Sequence, residues 1–218
     1  MYDGMYDIAS QLVMKWARHG KSAPINVTED LTRLTLDTIA LCSMDFRFNS
    51  YYKEGTHPFV TAMSTFLTES GDRARRLPIP SFFYKKADNK FFGDIDVMRS
   101  TAREILQERK RMAPEELALR NDLLSAMLNG VDSQTGQKMT EESILDNLIT
   151  FLIAGHETTA GMLSFAMYHM INDPEIYAKA REEVDRVCGK TPIKFDHLNK
   201  LPYLSAVGCV YHHLWKSS

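Results

Sequence analysis

The stretch from Ile144 to Ile171, ILDNLITFLIAGHETTAGMLSFAMYHMI, limits what this chain can fold into more than any other. Its apolar residues recur at helical spacing on two faces. Ile144, Leu148, Leu152, Gly155, Thr159, Met162 and Ala166 follow one; Leu145, Ile149, Ile153 and Leu163 follow the other. A helix that is apolar nearly all round belongs in the middle of a core. Thr140 is a suitable N-cap, and Glu141 and Glu142 complement the helix dipole in the first turn. Asn172-Asp173-Pro174 closes the helix, because the residue before proline is pushed out of helical geometry. About 33 residues at a rise of ~1.5 Å predict a rod of ~50 Å, enough to cross a domain. Asp146, Asn147 and Glu157 interrupt any apolar run of ~18 residues, so this helix is not expected to span a membrane.

The middle of the helix is unusual. Ala154-Gly155-His156-Glu157-Thr158-Thr159 places two small and four polar residues where burial is expected. A buried polar group costs free energy unless it is partnered. Glycine lets another surface approach the backbone, and a threonine hydroxyl can bond back one turn and bend the helix. Two readings follow. The patch is either a polar cluster satisfied by water or a neighbouring helix, or a groove for a flat ligand and a small molecule beside it. His156-Glu157 also begins the zinc-hydrolase pattern H-E-x-x-H, which needs a second histidine one turn on. Position 160 is alanine, so that reading fails.

The rest of the chain reads as helix after helix. Residues 2–18 carry Ile8, Leu12 and Trp16 on one side, and a second helix capped by Thr28 carries Val27, Leu31, Leu34 and Leu41. Residues 46–55 form an aromatic and polar connection, and Pro58 suits the first position of a third helix lined by Phe59, Met63, Phe66 and Leu67. A loop over 77–84 is expected next, with Arg73, Arg75 and Arg76 as a solvated face. A long helix over about 89–111, a short one over 122–128, a turn over 129–136, and helices over 174–187, 195–199 and from 201 complete the chain. The fold class is therefore mainly α. A net charge of −2 and a quarter of residues charged suggest neither nucleic acid nor a membrane as partner, and no signal sequence opens the chain. A cytoplasmic location is expected. Cys42, Cys188 and Cys209 are odd in number and form no CxxC pair, so neither a disulfide framework nor a zinc site is expected.

The segment Phe151 to Thr159, followed by Leu163-Ser-Phe-Ala-Met-Tyr168, resembles the long oxygen-side helix of cytochromes P-450, the haem-thiolate monooxygenases. That helix carries a small residue, glycine, any residue, an acid and two threonines. Leu31 to Ile39, Phe46 to Ser50 and His57-Pro-Phe59 resemble the self-sufficient fatty-acid hydroxylases of bacteria and fungi, whose haem domain is fused to a flavin reductase. The similarity runs from about residue 5 to 207, with 208–218 a divergent tail. It implies a partial P-450 fold, the distal helical half built around one long central helix. It implies haem, with FMN, FAD and NADPH on a reductase partner, and a long-chain fatty acid or similar apolar substrate. By the same resemblance Glu157 and Thr158 would relay protons, and Ala154 and Gly155 would lie against the haem face. Met63 and Leu67 would touch an acyl chain, with plain core packing the alternative.

Departures from the pattern set a further expectation. The family's iron ligand is a cysteine, whose thiolate favours O–O cleavage, and it follows phenylalanine, glycine and arginine seven, four and two residues earlier. Cys42, Cys188 and Cys209 each lack that context. The family's glutamate-x-x-arginine pair would fall on Val210 and His213, and valine cannot hold a guanidinium. The thiolate loop and the entrance sheet are thus expected outside the chain. On this reading 1–218 is a partial haem domain, inactive alone, with uncovered apolar faces. The alternative is a non-catalytic helical protein that binds an apolar ligand or a partner.

Overall fold

A computed structural model describes the backbone of residues 1–20, 23–53, 55–78 and 80–214, and the side chains of these except 81 and 209–214. The described residues form ten α-helices: α1 Tyr2–His19, α2 Val27–Met44, α3 Pro58–Arg73, α4 Lys85–Arg111, α5 Pro114–Ala118, α6 Leu123–Asn129, α7 Glu141–Asn172, α8 Pro174–Cys188, α9 Phe195–Leu198 and α10 Pro202–Leu214. A 3-10 turn, Ser81–Tyr84, leads into α4. The chain divides into two compact units, Met1–Thr35 with His156–Ser218, and Leu36–Gly155. The division falls inside α2 and inside α7, so each of these helices contributes to both.

The mainly α class and the bounds of α7 match the expectation, and several local readings need correction. The side chain of Asn26, not Thr28, caps α2, its Oδ1 accepting the Glu29 N–H at 3.2 Å. The end of the expected 77–84 loop is the 3-10 turn, and α4 starts at Lys85, not near 89. Helix α5 was not expected; Pro114 at its first position and Glu115 and Glu116 behind it explain its start. Arg73 and Arg76 are not a bare solvated face. Both reach Asp88, at 2.5 and 2.8 Å, and Arg76 also reaches Glu69.

In the unit Leu36–Gly155, apolar faces of α2, α3, α4, α6 and α7 close on one core that includes Leu36, Met44, Phe59, Met98, Ile105 and Leu148. The chain leaves α2 through Asp45 and Asn49, both at positive φ (48° and 54°), which swings Phe46 and Phe48 into that core. The Asp37 carboxylate holds the turn, accepting the Ser50 N–H at 2.9 Å and its hydroxyl at 2.6 Å. Next, His57 caps α3 by accepting the Phe59 N–H on Nδ1 at 3.1 Å. Burial, and secondarily Lys53, pull the pKa of His57 below the usual imidazole range, which keeps that nitrogen an acceptor.

Arg109, 1% exposed, is the charged hub of this unit. Its guanidinium meets Asp122 through two nitrogens (2.9 and 2.5 Å), the Ser125 hydroxyl (2.7 Å) and the Met44 carbonyl (2.9 Å). It thereby ties the end of α4 to the start of α6 and the end of α2. Burial raises the Asp122 pKa, but Arg109 and the Ser125 N–H outweigh it and hold the carboxyl below its ordinary range.

In the other unit, Asp30 on α2 accepts the Trp16 indole N–H at 2.7 Å and the Lys15 ammonium, fixing α1. The buried Glu183 of α8 accepts the N–H groups of Tyr203 (3.0 Å) and Leu204 (2.9 Å), the second and third residues of α10. On α7, Leu145, Leu148 and Leu152 are buried, whereas Met162, Phe165, Tyr168 and Ile171 are exposed. The expectation of a helix buried nearly all round therefore does not hold: even its first half exposes Asp146, Thr150 and Ala154.

Gly155 packs tightly on α2, where a Cβ would stand 2.8 Å from Ile39 Cγ1. In the other unit the Thr35 hydroxyl donates to the His156 carbonyl at 2.9 Å, and His156 itself is fully buried.

Three outcomes follow from this packing. Arg109→Ala leaves the Asp122 carboxylate without its cation and is expected to lower unfolding free energy by about 3–5 kcal/mol in urea titrations. Gly155→Val overpacks against Ile39 and is expected to cost about 1–3 kcal/mol, part of it recovered by adding Ile39→Ala. The folded state of His57 resists the proton that the unfolded state takes up. Stability should therefore fall as pH drops below the ordinary imidazole value of 6.5 toward the lowered folded value. His57→Asn keeps an acceptor at the cap, and thermal melts across that window should show the slope removed.

Candidate functional site

The six-residue patch of α7 sorts into two sides by helical geometry, 100° per residue. Gly155, His156 and Ala160 turn inward: Gly155 faces Ile39, and His156 and Ala160 are buried. Ala154, Glu157 and Thr158 are exposed. Ala154 and Thr158 stand one turn apart, and Glu157 sits beside them. Helical spacing continues their line through Gly161, Phe165 (57% exposed) and Tyr168 (61% exposed). The sequence reading placed the Glu157 carboxylate deep in a core; in this structure the buried polar side chain of the motif is His156 instead. The signal for that division was present in the period of the motif, since 154, 158, 161 and 165 share an angle that 155 and 156 do not.

This outer strip has definite chemistry. Two small residues, Ala154 and Gly161, leave the helix flat, so a planar apolar body can lie along it. A hydroxyl and a carboxylate, Thr158 and Glu157, stand next to each other at its edge and can hold or pass a proton. The four expected residues are thus not one constellation: Ala154, Glu157 and Thr158 share the open strip, and Gly155 serves the packing on Ile39.

The two expected acyl contacts also separate. Met63 is 2% exposed among Phe59 and Ala62 of the core, while Leu67, one turn on, is 38% exposed. Cys42 and Cys188 each lie within a helix, at the ends of α2 and α8. Burial pushes the Cys42 thiol pKa up, against thiolate formation, and the Cys188 residue is buried. The side chains of Cys209, Val210, His212 and His213 lie outside the described residues. Among the described residues no three His, Cys, Asp or Glu side chains converge as a metal site, and no helix is long and apolar enough to cross a membrane.

Sequence reasoning missed one surface feature altogether. A cleft of about 490 Å³ runs between α3 and α4, bounded by Thr65, Thr68, Phe83, Lys86, Lys90 and Phe91 among others. Its walls come from two consecutive helices and the 3-10 turn between them, and their packing against each other, not any local sequence pattern, creates it.

The chain is 58% identical over 208 residues to a bifunctional cytochrome P-450/NADPH–P-450 reductase of Fusarium oxysporum, a match that covers 95% of this chain and 19% of that protein. A protein of the same description from Aspergillus oryzae is 53% identical over 207 residues, covering 95% of this chain and 18% of the relative. A self-sufficient cytochrome P-450 monooxygenase of Aspergillus niger is 48% identical over 208 residues, again 95% of this chain and 19% of the relative. The chain thus spans about a fifth of the length of the curated relatives it matches. The protein-family model for cytochrome P-450 matches residues 1–207, and the chain belongs to the cytochrome P-450 family.

Proposed function

We propose that this chain supplies the oxygen-side helices of a haem-dependent monooxygenase. The enzyme inserts one oxygen atom from dioxygen into a long-chain fatty acid or similar apolar substrate. NADPH provides the electrons through the FMN and FAD of a reductase joined to the haem domain; the reductase part of this reading is supported by relatives that are bifunctional cytochrome P-450/NADPH–P-450 reductases. The observation that carries this reading is the open strip of α7, in which a flat apolar surface and a proton-handling pair lie on one helix face.

The strip suits the face of a haem. Ala154 is small and exposed, and Thr158 lies on the same side one turn later. A macrocycle can therefore approach the helix there without displacing a bulky side chain. When bound, haem supplies the activation of dioxygen. A thiolate for the iron would not come from Cys42 or Cys188: each is held within a helix, and burial pushes the Cys42 thiol pKa up.

The chain's own residues then have separate tasks. Gly155 seats the helix against Ile39. Thr158 Oγ1 holds a proton at the strip, and the Glu157 carboxylate, exposed beside it, exchanges protons with solvent. Leu67 is the more accessible of the two candidate substrate contacts, and Met63 supports it from the core. No membrane or nucleic acid enters the reaction, and we place it in the cytoplasm.

The exposed Met162, Phe165 and Tyr168 favour a second reading, a helical protein that binds an apolar ligand or partner along this face without catalysis. Both are tested by placing residues 1–207 in the corresponding segment of the Fusarium oxysporum relative. Hydroxylation of a long-chain fatty acid by the chimera, dependent on NADPH, is the expected result; substrate binding without product would favour the second reading. In that chimera Thr158→Val should lower turnover by about 100-fold with little change in substrate affinity, while Thr158→Ser retains most activity. Equal activity in the valine variant would remove Thr158 from proton transfer.

A further inference from the structure

The cleft between α3 and α4 lies on a different side of α3 from Met63 and Leu67. At 100° per residue, Thr65, Thr68 and Glu69 point roughly opposite to Met63. The cleft volume of about 490 Å³ falls in the range of small-molecule sites. One wall is fixed: the Phe91 ring stacks on Phe66 at 4.9 Å, and the Arg73 guanidinium stands 3.8 Å from its centroid. The other wall is Phe83, 63% exposed and packed on Phe82.

Charge is unevenly distributed around these rings. Lys86 and Lys90 occupy successive turns of α4 beside the cleft, and neither has an ion-pair partner among the described residues. The nearby carboxylates are already engaged. Glu69 and Asp88 are each shared by Arg73 and Arg76. Asp94, which also borders the cleft, accepts the Thr65 hydroxyl at 2.7 Å and has no cation. Two uncompensated ammonium groups set against one uncompensated carboxylate leave room for a single negative charge. Aromatic walls with a cationic rim suit a flat apolar body that carries it.

We propose that the α3–α4 cleft binds an aryl monocarboxylate. The carboxylate lies between Lys86 and Lys90, and the ring system lies on the exposed Phe83 and against the edge of Phe91, whose faces are taken by Phe66 and Arg73. This site is separate from the strip on α7 and does not depend on the monooxygenase reading.

The test is titration of the full chain with 2-naphthoate, followed by its fluorescence and by calorimetry, with 2-naphthalenemethanol as the uncharged counterpart. One saturable equivalent is expected for the acid, with the alcohol at least tenfold weaker. Lys86→Gln with Lys90→Gln should weaken the acid at least tenfold, and Lys86→Arg with Lys90→Arg should retain it. Thr68→Trp should fill the cleft and abolish binding, with circular dichroism unchanged because all three positions are exposed. Any of four results overturns the proposal: no saturable binding at millimolar naphthoate, equal binding of the alcohol, affinity unaltered by Thr68→Trp, or association only with phosphatidylserine vesicles.

Discussion

The closeness of α2 and α7 depends on position 155 carrying no side chain. A single methyl group there would sit 2.8 Å from Ile39 Cγ1, well inside van der Waals contact. Packed interiors absorb such an overlap only by moving side chains off their rotamers or separating the helices. In the unit formed by Met1–Thr35 with His156–Ser218, the Thr35 hydroxyl donates to the His156 carbonyl at 2.9 Å. Each unit therefore carries its own link between α2 and α7, an apolar one at Gly155 and a polar one at His156.

Charged groups do a second kind of work in this fold, as cross-links between segments with no apolar reason to meet. Arg109 joins three helix ends, and Asp37 closes the turn after α2 on itself. A buried charge is costly when isolated and tolerable when each donor or acceptor is met. Each of these has several partners of good geometry, which makes them specific for one arrangement of the chain. They also explain how short elements such as α6, only seven residues long, hold a fixed place.

How much could be read from sequence depended on whether the determining contacts were local. The ends of α7 were legible, because Thr140, two first-turn glutamates and Asn172-Asp173-Pro174 act within a few residues. Helix α3 was legible for the same reason, through Pro58. The pairing of Arg73 and Arg76 with Asp88 was not, since it joins side chains 15 and 12 residues apart across a proline-rich loop. Asn26 and Thr28 were both competent caps by type, and only backbone geometry chose between them. For the site, residue types gave Glu157 and Thr158 their chemistry, and the period of the helix separated them from Gly155. The exposure of Phe165 and Tyr168 could not be read, because periodicity marks a face as apolar without saying what covers it. The α3–α4 cleft left no local trace at all.

Glu183 carries a consequence of its own. Helix α10 opens with Leu201 before Pro202, and leucine offers no acceptor for the orphan N–H groups of a first turn. Those groups are met by a carboxylate twenty residues upstream. The start of α10 therefore rests on α8 as well as on its own Pro202 at the first helical position. In a growing chain the first turn of α10 finds this acceptor only once α8 is in place, which ties the formation of the later helix to the earlier one.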